Sequence, residues 1–420
     1  MKPLLSNKAV SFRRNISPVR EIMNYASPAY FKRLGLDPAS IISFVGGWVN
    51  HEAPKDLQKA YKEIVEDREL FHKSGGYSPT LGMAQCREAI ANYEKHLYEI
   101  QSLQANQVAI GASSTQLTTD LMKVLLDPND KILLLDPSYC NFPTQIMMAL
   151  DVEIIRFPVV NKDTWEYVAN DKVEEFKQFI LTEKPKVVLL VSPDNPTSQI
   201  PSDSFVEAAL NAVRAIGSFL IIDFAYKDLV FNQNPPKYYS WSPDENYLSI
   251  HSNSKWSRSL GRRLGWIEAS EEVVEALESI QSSSILCPDT LHQMALTRYL
   301  NEAINNNSLK PYITKVSEQY HKAAQQTVAS IQKHLGLPCF IPQGGLYTCI
   351  KVGMDGAECV EKVLKKTGVL FVPGWGFGRT LQDAVRISFG PLVNDLHLID
   401  EGIRRAGELL RKKNEKDIHH

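Results

Sequence analysis

The sequence predicts an α/β protein built on a doubly wound, mostly parallel sheet of seven strands between helices, with a smaller α+β unit beside it. Three observations carry this. Short, continuously apolar runs recur at QVAIGA (107–112), KILLLD (131–136), VEIIRF (152–157), KVVLLVS (186–192), FLIIDF (219–224), YLSIHS (247–252) and LGWIEA (264–269). Unbroken apolarity marks strands covered on both faces. Helical patterns lie between several of them, at 120–127, 173–182 and 203–216, and such alternation is what a parallel sheet requires. Beyond about residue 270 the pattern changes to long amphipathic helices at 271–280 and 317–335, then to a compact α+β stretch from LPCF (337–340) onward. The expected division is a large unit over 71–295 and a small one formed by 1–70, including an amino-terminal arm, and 296–420.

Composition excludes several classes. At 44% apolar and 22% charged, the 420 residues match soluble globular proteins and neither disordered nor fibrous ones. Lysine plus arginine (46) nearly cancels aspartate plus glutamate (48), so no global field steers the chain onto nucleic acid or an anionic membrane. The six cysteines show neither metal-binding spacing nor a dense framework, and they read as free thiols in a reducing compartment. The amino terminus lacks the apolar core of a signal peptide, and no run approaches the roughly 20 apolar residues of a membrane span. The expected location is the cytoplasm. The polar end RKKNEKDIHH (411–420) reads as frayed, without a function.

In open α/β sheets ligands bind beyond the carboxyl ends of the strands. Here those ends run into GASSTQ (111–116), DPSY (136–139), SPDNPTS (192–198), DFAY (223–226) and SNSK (252–255). Five ends rich in small, polar and ring-bearing residues concentrate chemistry at one edge. Lys255 follows a strand among small hydroxyl residues, with Arg263 eight positions on. A lysine can form a Schiff base, and a guanidinium grips a phosphate through parallel hydrogen bonds. The pair describes an aldehyde cofactor with a phosphate handle, although an isolated lysine or arginine is usually a solvated surface charge.

Nine motifs then stand in one order: GGYSPTLG (75–82), GASSTQ, DPSY, DNPTS (194–198), DFAY, SNSKWSRSLGRRLG (252–265), PQGG (342–345), VPGWGFG (372–378) and VRISF (385–389). In these the chain resembles the class I/II aminotransferases among the pyridoxal-phosphate enzymes of fold type I. ISPVREIMNYA (16–26) with ISFVGG (42–47) looks most like the kynurenine/α-aminoadipate branch. The resemblance implies an aspartate-aminotransferase-like fold whose large unit binds pyridoxal 5'-phosphate. It makes Lys255 the Schiff-base lysine and proton shuttle, Asp223 the partner of the pyridine nitrogen, and Tyr226 with Asn195 the donors to the ring's phenolic oxygen. Tyr139 would stack on the pyridine ring. Ser113, Ser114, Thr115, Ser252 and Arg263 would cradle the phosphate, joined by Tyr77 from a neighbouring subunit, so the sites would be shared across a homodimer. Arg386 would clamp the substrate α-carboxylate, assisted by Asn195, Gly46 and Gly47.

Departures bear on the substrate. Trp48 and Val49 follow Gly46-Gly47, Ser198 replaces the glycine of the common NPTG, and SSSILCPDT (282–290) lacks the arginine with which aspartate-type enzymes hold a distal carboxylate. Trp48 and Tyr347 suggest a large neutral or aromatic amino acid, with a 2-oxo acid as acceptor. Cyclase, lyase and oxidase chemistry on the same scaffold stays open. Acyl-transfer synthases typically carry DxAH, which DFAY is not, and a DNA-binding effector reading would need an amino-terminal domain for which about twenty residues leave no room.

Overall fold

The computed structural model describes residues 5–14, 23, 26–232 and 234–417. Most of the 16–26 motif lies outside the described residues, as do 418–420; helix continues to Asp417 through the stretch expected to fray. Among the described residues no helix is long and apolar enough to cross a membrane.

The seven apolar runs form one sheet: β1 (Val108–Gly111), β2 (Lys131–Asp136), β3 (Glu153–Pro158), β4 (Val187–Val191), β5 (Phe219–Asp223), β6 (Tyr247–Ser252) and β7 (Gly265–Glu268). Their spatial order is β1-β7-β6-β5-β4-β2-β3. All pairings are parallel except those of β7, which runs antiparallel to both β1 and β6. Alternate residues serve two cores: Leu133, Leu190 and Ile222 pack on one face, Leu134, Leu189 and Ile221 on the other. Two-sided burial is why these strands read as continuous apolar runs.

The covering helices follow from periodicity and caps. The helix α6 (Asp203–Ile216) opens where Ser202 accepts from the Phe205 N–H at 3.3 Å. It buries Phe205, Ala209 and Val213 at four-residue steps. The helix α3 (Ser114–Leu125) begins at Ser114, ahead of the 120–127 pattern, because its first turn is polar and Ser113 caps it. Others that bear on the site are α1 (Lys55–Glu66), α2 (Ala84–Tyr98), α4 (Phe142–Ala149), α5 (Val173–Glu183), α7 (Glu271–Ser284), α8 (Thr290–Asn305) and α9 (Leu309–His334).

A second layer holds the antiparallel strands β8 (Tyr347–Lys351), β9 (Val372–Pro373) and β10 (Ala384–Ser388) in the order β8-β10-β9, with α10 (Gly356–Thr367) and α11 (Leu396–Asp417). The early segment joins it, for Ile42 and Ser43 pair in parallel with Val369 and Leu370. Residue 295 falls inside α8, where Ala295, Leu296 and Tyr299 share a core with Leu57 and Ala60 of α1 and Ile90 of α2. The passage between cores is made by α9, with Leu309 in that cluster and Val316 and Tyr320 in the next. Apolar packing thus ties 55–66 and 290–305 to the large sheet.

Candidate active site

The carboxyl ends of β1, β2, β4, β5 and β6 surround one cavity. Ser113, Ser114 and Thr115 line it at the start of α3, and Tyr139, Asn195, Asp223 and Tyr226 line it after β2, β4 and β5. Ser252, Lys255 and Arg263 come from the segment after β6. The Ser113 hydroxyl caps α3 by accepting from the Gln116 N–H at 3.2 Å. The N–H groups of Ser114 and Thr115, in the first turn, have no partner within the helix, and the helix dipole favours an anion there. Gly265 makes this closeness possible: a Cβ on it would lie 2.5 Å from Ser114 N.

Lys255 stands on a braced turn. Ser252 Oγ meets Ser254 Oγ at 2.8 Å and accepts from Ser254 N at 3.1 Å. From behind, Asn253 Nδ2 lies 2.7 Å from His292 Nε2, and His292 in turn meets the Tyr61 hydroxyl. Burial and then the positive charge of Arg386 lower the Lys255 ammonium from 10.5 to about 8, against the pull of Asp223. Arg263 contributes less than Arg386 to that shift. It is exposed and donates to Leu260 O at 2.7 Å, and the larger positive influence on the lysine is Arg386, brought there by the fold from far along the chain. Asp223 is buried and raised to about 6, mainly by desolvation, while the Ala225 N–H, at 2.9 Å, works against the shift. The Tyr226 hydroxyl pairs with that of Tyr347 at 2.7 Å.

Arg386 is 2% exposed. It donates to Asn195 Oδ1 and to Val45 O, both at 2.9 Å, while its Nε–H is buried without a partner. Its guanidinium lies over the rings of Tyr347 (4.3 Å) and Phe377 (4.9 Å). The segment around Gly46 and Gly47 turns its carbonyls inward. Ser388 Oγ donates to Gly46 O at 2.5 Å, and Lys255 Nζ donates to Gly47 O. A Cβ on Gly46 would strike the Trp48 ring at 2.3 Å, and one on Gly47 would meet Tyr347 Oη at 2.8 Å. Trp48 is folded over Gly46 with 43% of its surface exposed. Tyr77 stands apart from the described cavity lining, 86% exposed.

Sequence reasoning passed over Phe142 and Gln145, which line the cavity from α4. Their three-residue spacing from Tyr139 is the signal that was available. It also passed over His51, which no local pattern marks. Ser198 carries φ +56, and its buried hydroxyl accepts from the Tyr347 N–H at 3.1 Å, fastening the turn after β4 to β8.

A buried amine, a carboxylate at its far side, a helix amino terminus and a guanidinium with an unused donor can together receive a ligand with separate aldehyde, phosphate and carboxylate functions. The family profile "Aminotransferase class I and II" matches residues 46–400. "Aspartate aminotransferase" of Pyrococcus abyssi is 24% identical over 380 residues, covering 89% of this chain and 92% of that protein. "Aromatic-amino-acid aminotransferase 2" of Thermococcus litoralis is 24% identical over 379 residues, again 89% and 92%. Among solved structures, aspartate aminotransferase from Thermus thermophilus with maleate superimposes with TM-score 0.82 at 21% identity, over 96% of this chain and all of that one, an aspartate-aminotransferase-like fold. On a family match that spans most of its length, the chain belongs to the class I and II aminotransferases, pyridoxal-phosphate-dependent transferases.

Proposed function

We propose that this enzyme moves the amino group of a large neutral or aromatic L-amino acid to a 2-oxo acid, in the manner of the kynurenine/α-aminoadipate branch. The observation that carries the reading is the distribution of arginines. Among the described residues, Arg263 is the sole arginine lining the cavity, and Arg386 lies beside Lys255 with its Nε–H unused. With Arg263 on a phosphate and Arg386 on an α-carboxylate, the described cavity lining offers no third guanidinium for a second substrate carboxylate. Trp48, Tyr139 and Tyr347 supply aromatic surface instead.

Pyridoxal 5'-phosphate fits these residues. The first turn of α3, Ser252 and Arg263 would take the phosphate, Tyr139 the ring face, and Asp223 the ring nitrogen. Asn195 and Tyr226 would hold the phenolic oxygen. The bound cofactor supplies an electron sink for the bond being broken at the substrate's α-carbon. Lys255, its ammonium lowered to about 8 by burial and the charge of Arg386, would be the nucleophile and would move the proton at that carbon. Asp223 would pair with the ring nitrogen, and Arg386 would fix the substrate carboxylate.

The same proposal includes a large cofactor-binding unit centred on the sheet, and a homodimer in which Tyr77, exposed here, reaches the partner's phosphate site. A cytoplasmic setting belongs to the same proposal. The test is a panel of L-amino donors against 2-oxo acid acceptors, with ammonia and oxygen uptake followed alongside. Aromatic and large neutral donors should exceed aspartate in kcat/KM, with keto acid formed mole for mole and no ammonia. A preference for aspartate would overturn the substrate class. Ammonia release or oxygen consumption in proportion to turnover would overturn transamination.

A further inference from the structure

Residues 45–51 form a strap whose carbonyls at Val45 and Gly47 accept from Arg386 and Lys255. At its end His51 is fully buried. The His51 Nε2 lies 3.0 Å from the carbonyl of Trp256, the residue after Lys255, and Nδ1 lies 2.9 Å from the Tyr320 hydroxyl. A carbonyl can only accept, so Nε2 carries the hydrogen and Nδ1 is bare. Tyr320 must then donate to Nδ1, which leaves its oxygen to accept from Asn50 N at 3.0 Å and His51 N at 3.4 Å. Each hydrogen has one place. Burial lowers the imidazolium to about 4, so the ring is neutral throughout the working range and this arrangement stays intact.

We propose that His51 is a positioning residue for the reaction: it fixes the Lys255 turn against the strap, and through the strap's Val45 carbonyl against Arg386, so that amine and carboxylate clamp keep a set separation. The chemistry of the node supports this more strongly than packing alone does. A phenyl ring of similar size would fill the space, but would leave the Trp256 carbonyl and the Tyr320 hydroxyl each without the hydrogen bond that the imidazole makes. The Tyr312 hydroxyl, 3.2 Å from Trp256 O and 2.9 Å from Glu52 O, reinforces the same contact from α9 without reaching the strap's glycines. The inference rests on reading Lys255 as the reacting amine and Arg386 as the carboxylate clamp.

The experiment compares His51→Gln, His51→Asn and Tyr320→Phe as holoenzymes. A glutamine amide can reach the Trp256 carbonyl as Nε2 does, whereas asparagine reaches only toward Tyr320. Expected are near wild-type kcat for His51→Gln and a kcat loss for His51→Asn approaching about 100-fold, the effect of a misplacement on the order of 1 Å. The KM for the amino donor should change much less, and the visible band of the bound cofactor should shift its pH midpoint in His51→Asn and Tyr320→Phe but not in His51→Gln. Tyr320→Phe should lower kcat in the same sense, which keeps the test decisive if His51→Asn does not fold. Equal losses in the glutamine and asparagine variants, or wild-type kcat and midpoint in Tyr320→Phe, would overturn the role. Failure of the underlying reading would instead appear as turnover in Lys255→Ala.

Discussion

Two buried clusters of charge lie back to back on the sheet, and only one of them faces a cavity. On the cavity side stand Lys255, Asp223 and Arg386. On the opposite face, one residue along from Tyr226 and Ser252, stand Lys227 and His251 with Glu94, Asp228 and Glu268. Burial shifts groups in both sets, Glu94 and Glu268 upward and His251 downward in the rear one, and Asp223 upward and Lys255 downward on the cavity side. The rear cluster pairs mostly within itself, with Glu94 Oε1 buried short of a hydrogen-bond partner. Lys227 Nζ meets Glu94 Oε2 at 2.7 Å, and the two His251 nitrogens each lie 3.4 Å from a different carboxylate. Trp266 Nε1 donates to Glu268 at 3.0 Å, and Tyr98 donates to Asp228 at 2.7 Å. Glu94, His251 and Glu268 have the atom types of a metal site, yet Lys227 already neutralises Glu94 and the single imidazole turns opposite edges to the two glutamates. The cavity side differs in that Lys255 and Asp223 line open space. A perturbed acidity alone therefore does not mark a site; a shifted group that borders a cavity does.

The largest effect that would test this contrast is Lys255→Ala. Turnover should fall by at least about 10⁴-fold, the upper range for a positioned acid–base group. Stability of the cofactor-free protein should hold or rise. The sign follows from linkage: the folded value, about 8, lies below the ordinary 10.5, so burial of the ammonium destabilises the fold below about pH 8 and the penalty fades as pH rises to 10.5. Retained turnover would remove Lys255 from the chemistry. Mixed with an inactive Tyr77→Ala protein under subunit exchange, Lys255→Ala should regain part of the activity; no recovery in heterodimers identified by mass would mean that each chain builds its own site.

Lys227→Met is the counterpart. It leaves the Glu94 carboxylate buried without its cation, and breaking a buried pair costs about 3–5 kcal/mol, read as a lower urea midpoint. The folded fraction should turn over at close to the wild-type rate. Lost turnover with unchanged stability would mean that the rear cluster works on the reaction and that the contrast is misdrawn.

The smallest effect is a midpoint. In cofactor-free protein, labelling of Lys255 by a small amine-reactive aldehyde should be half-maximal near pH 8. In Arg386→Leu the midpoint should move upward, since the Arg386 charge holds it down. A midpoint that stays in place would show that burial alone sets it.

Legibility in the sequence followed the range of the interaction. β6 appears over the very residues 247–252, and α6 over 203–216, because apolar pattern and cap are local. Lys255, Asp223, Asn195 and Tyr226 could be named because each follows a strand in a motif. The antiparallel run of β7 could not, since an apolar run has no direction. The nearness of Arg386 to Lys255 could not either, because the two stand far apart in the chain. His51, Trp256 and Tyr320 meet only after three distant segments fold together, and Glu268 at the end of GWIE was a polar residue in a buried strand whose partners lie on α2 and β6.

The placement of β7 has a bearing on how the protein is made. Among the described residues the only strand paired with β1 is β7, at 265–268, although β1 itself ends at Gly111. A ribosome emits β1 and α3 long before the strand that must lie beside them, and pairing across such a distance is slow because chain entropy is lost first. The strands from β2 to β6 can assemble as they emerge, while the α3 end that would hold a phosphate waits at an unfinished edge. Nascent chains arrested before residue 265 should therefore carry most of the sheet and no closed anion cradle.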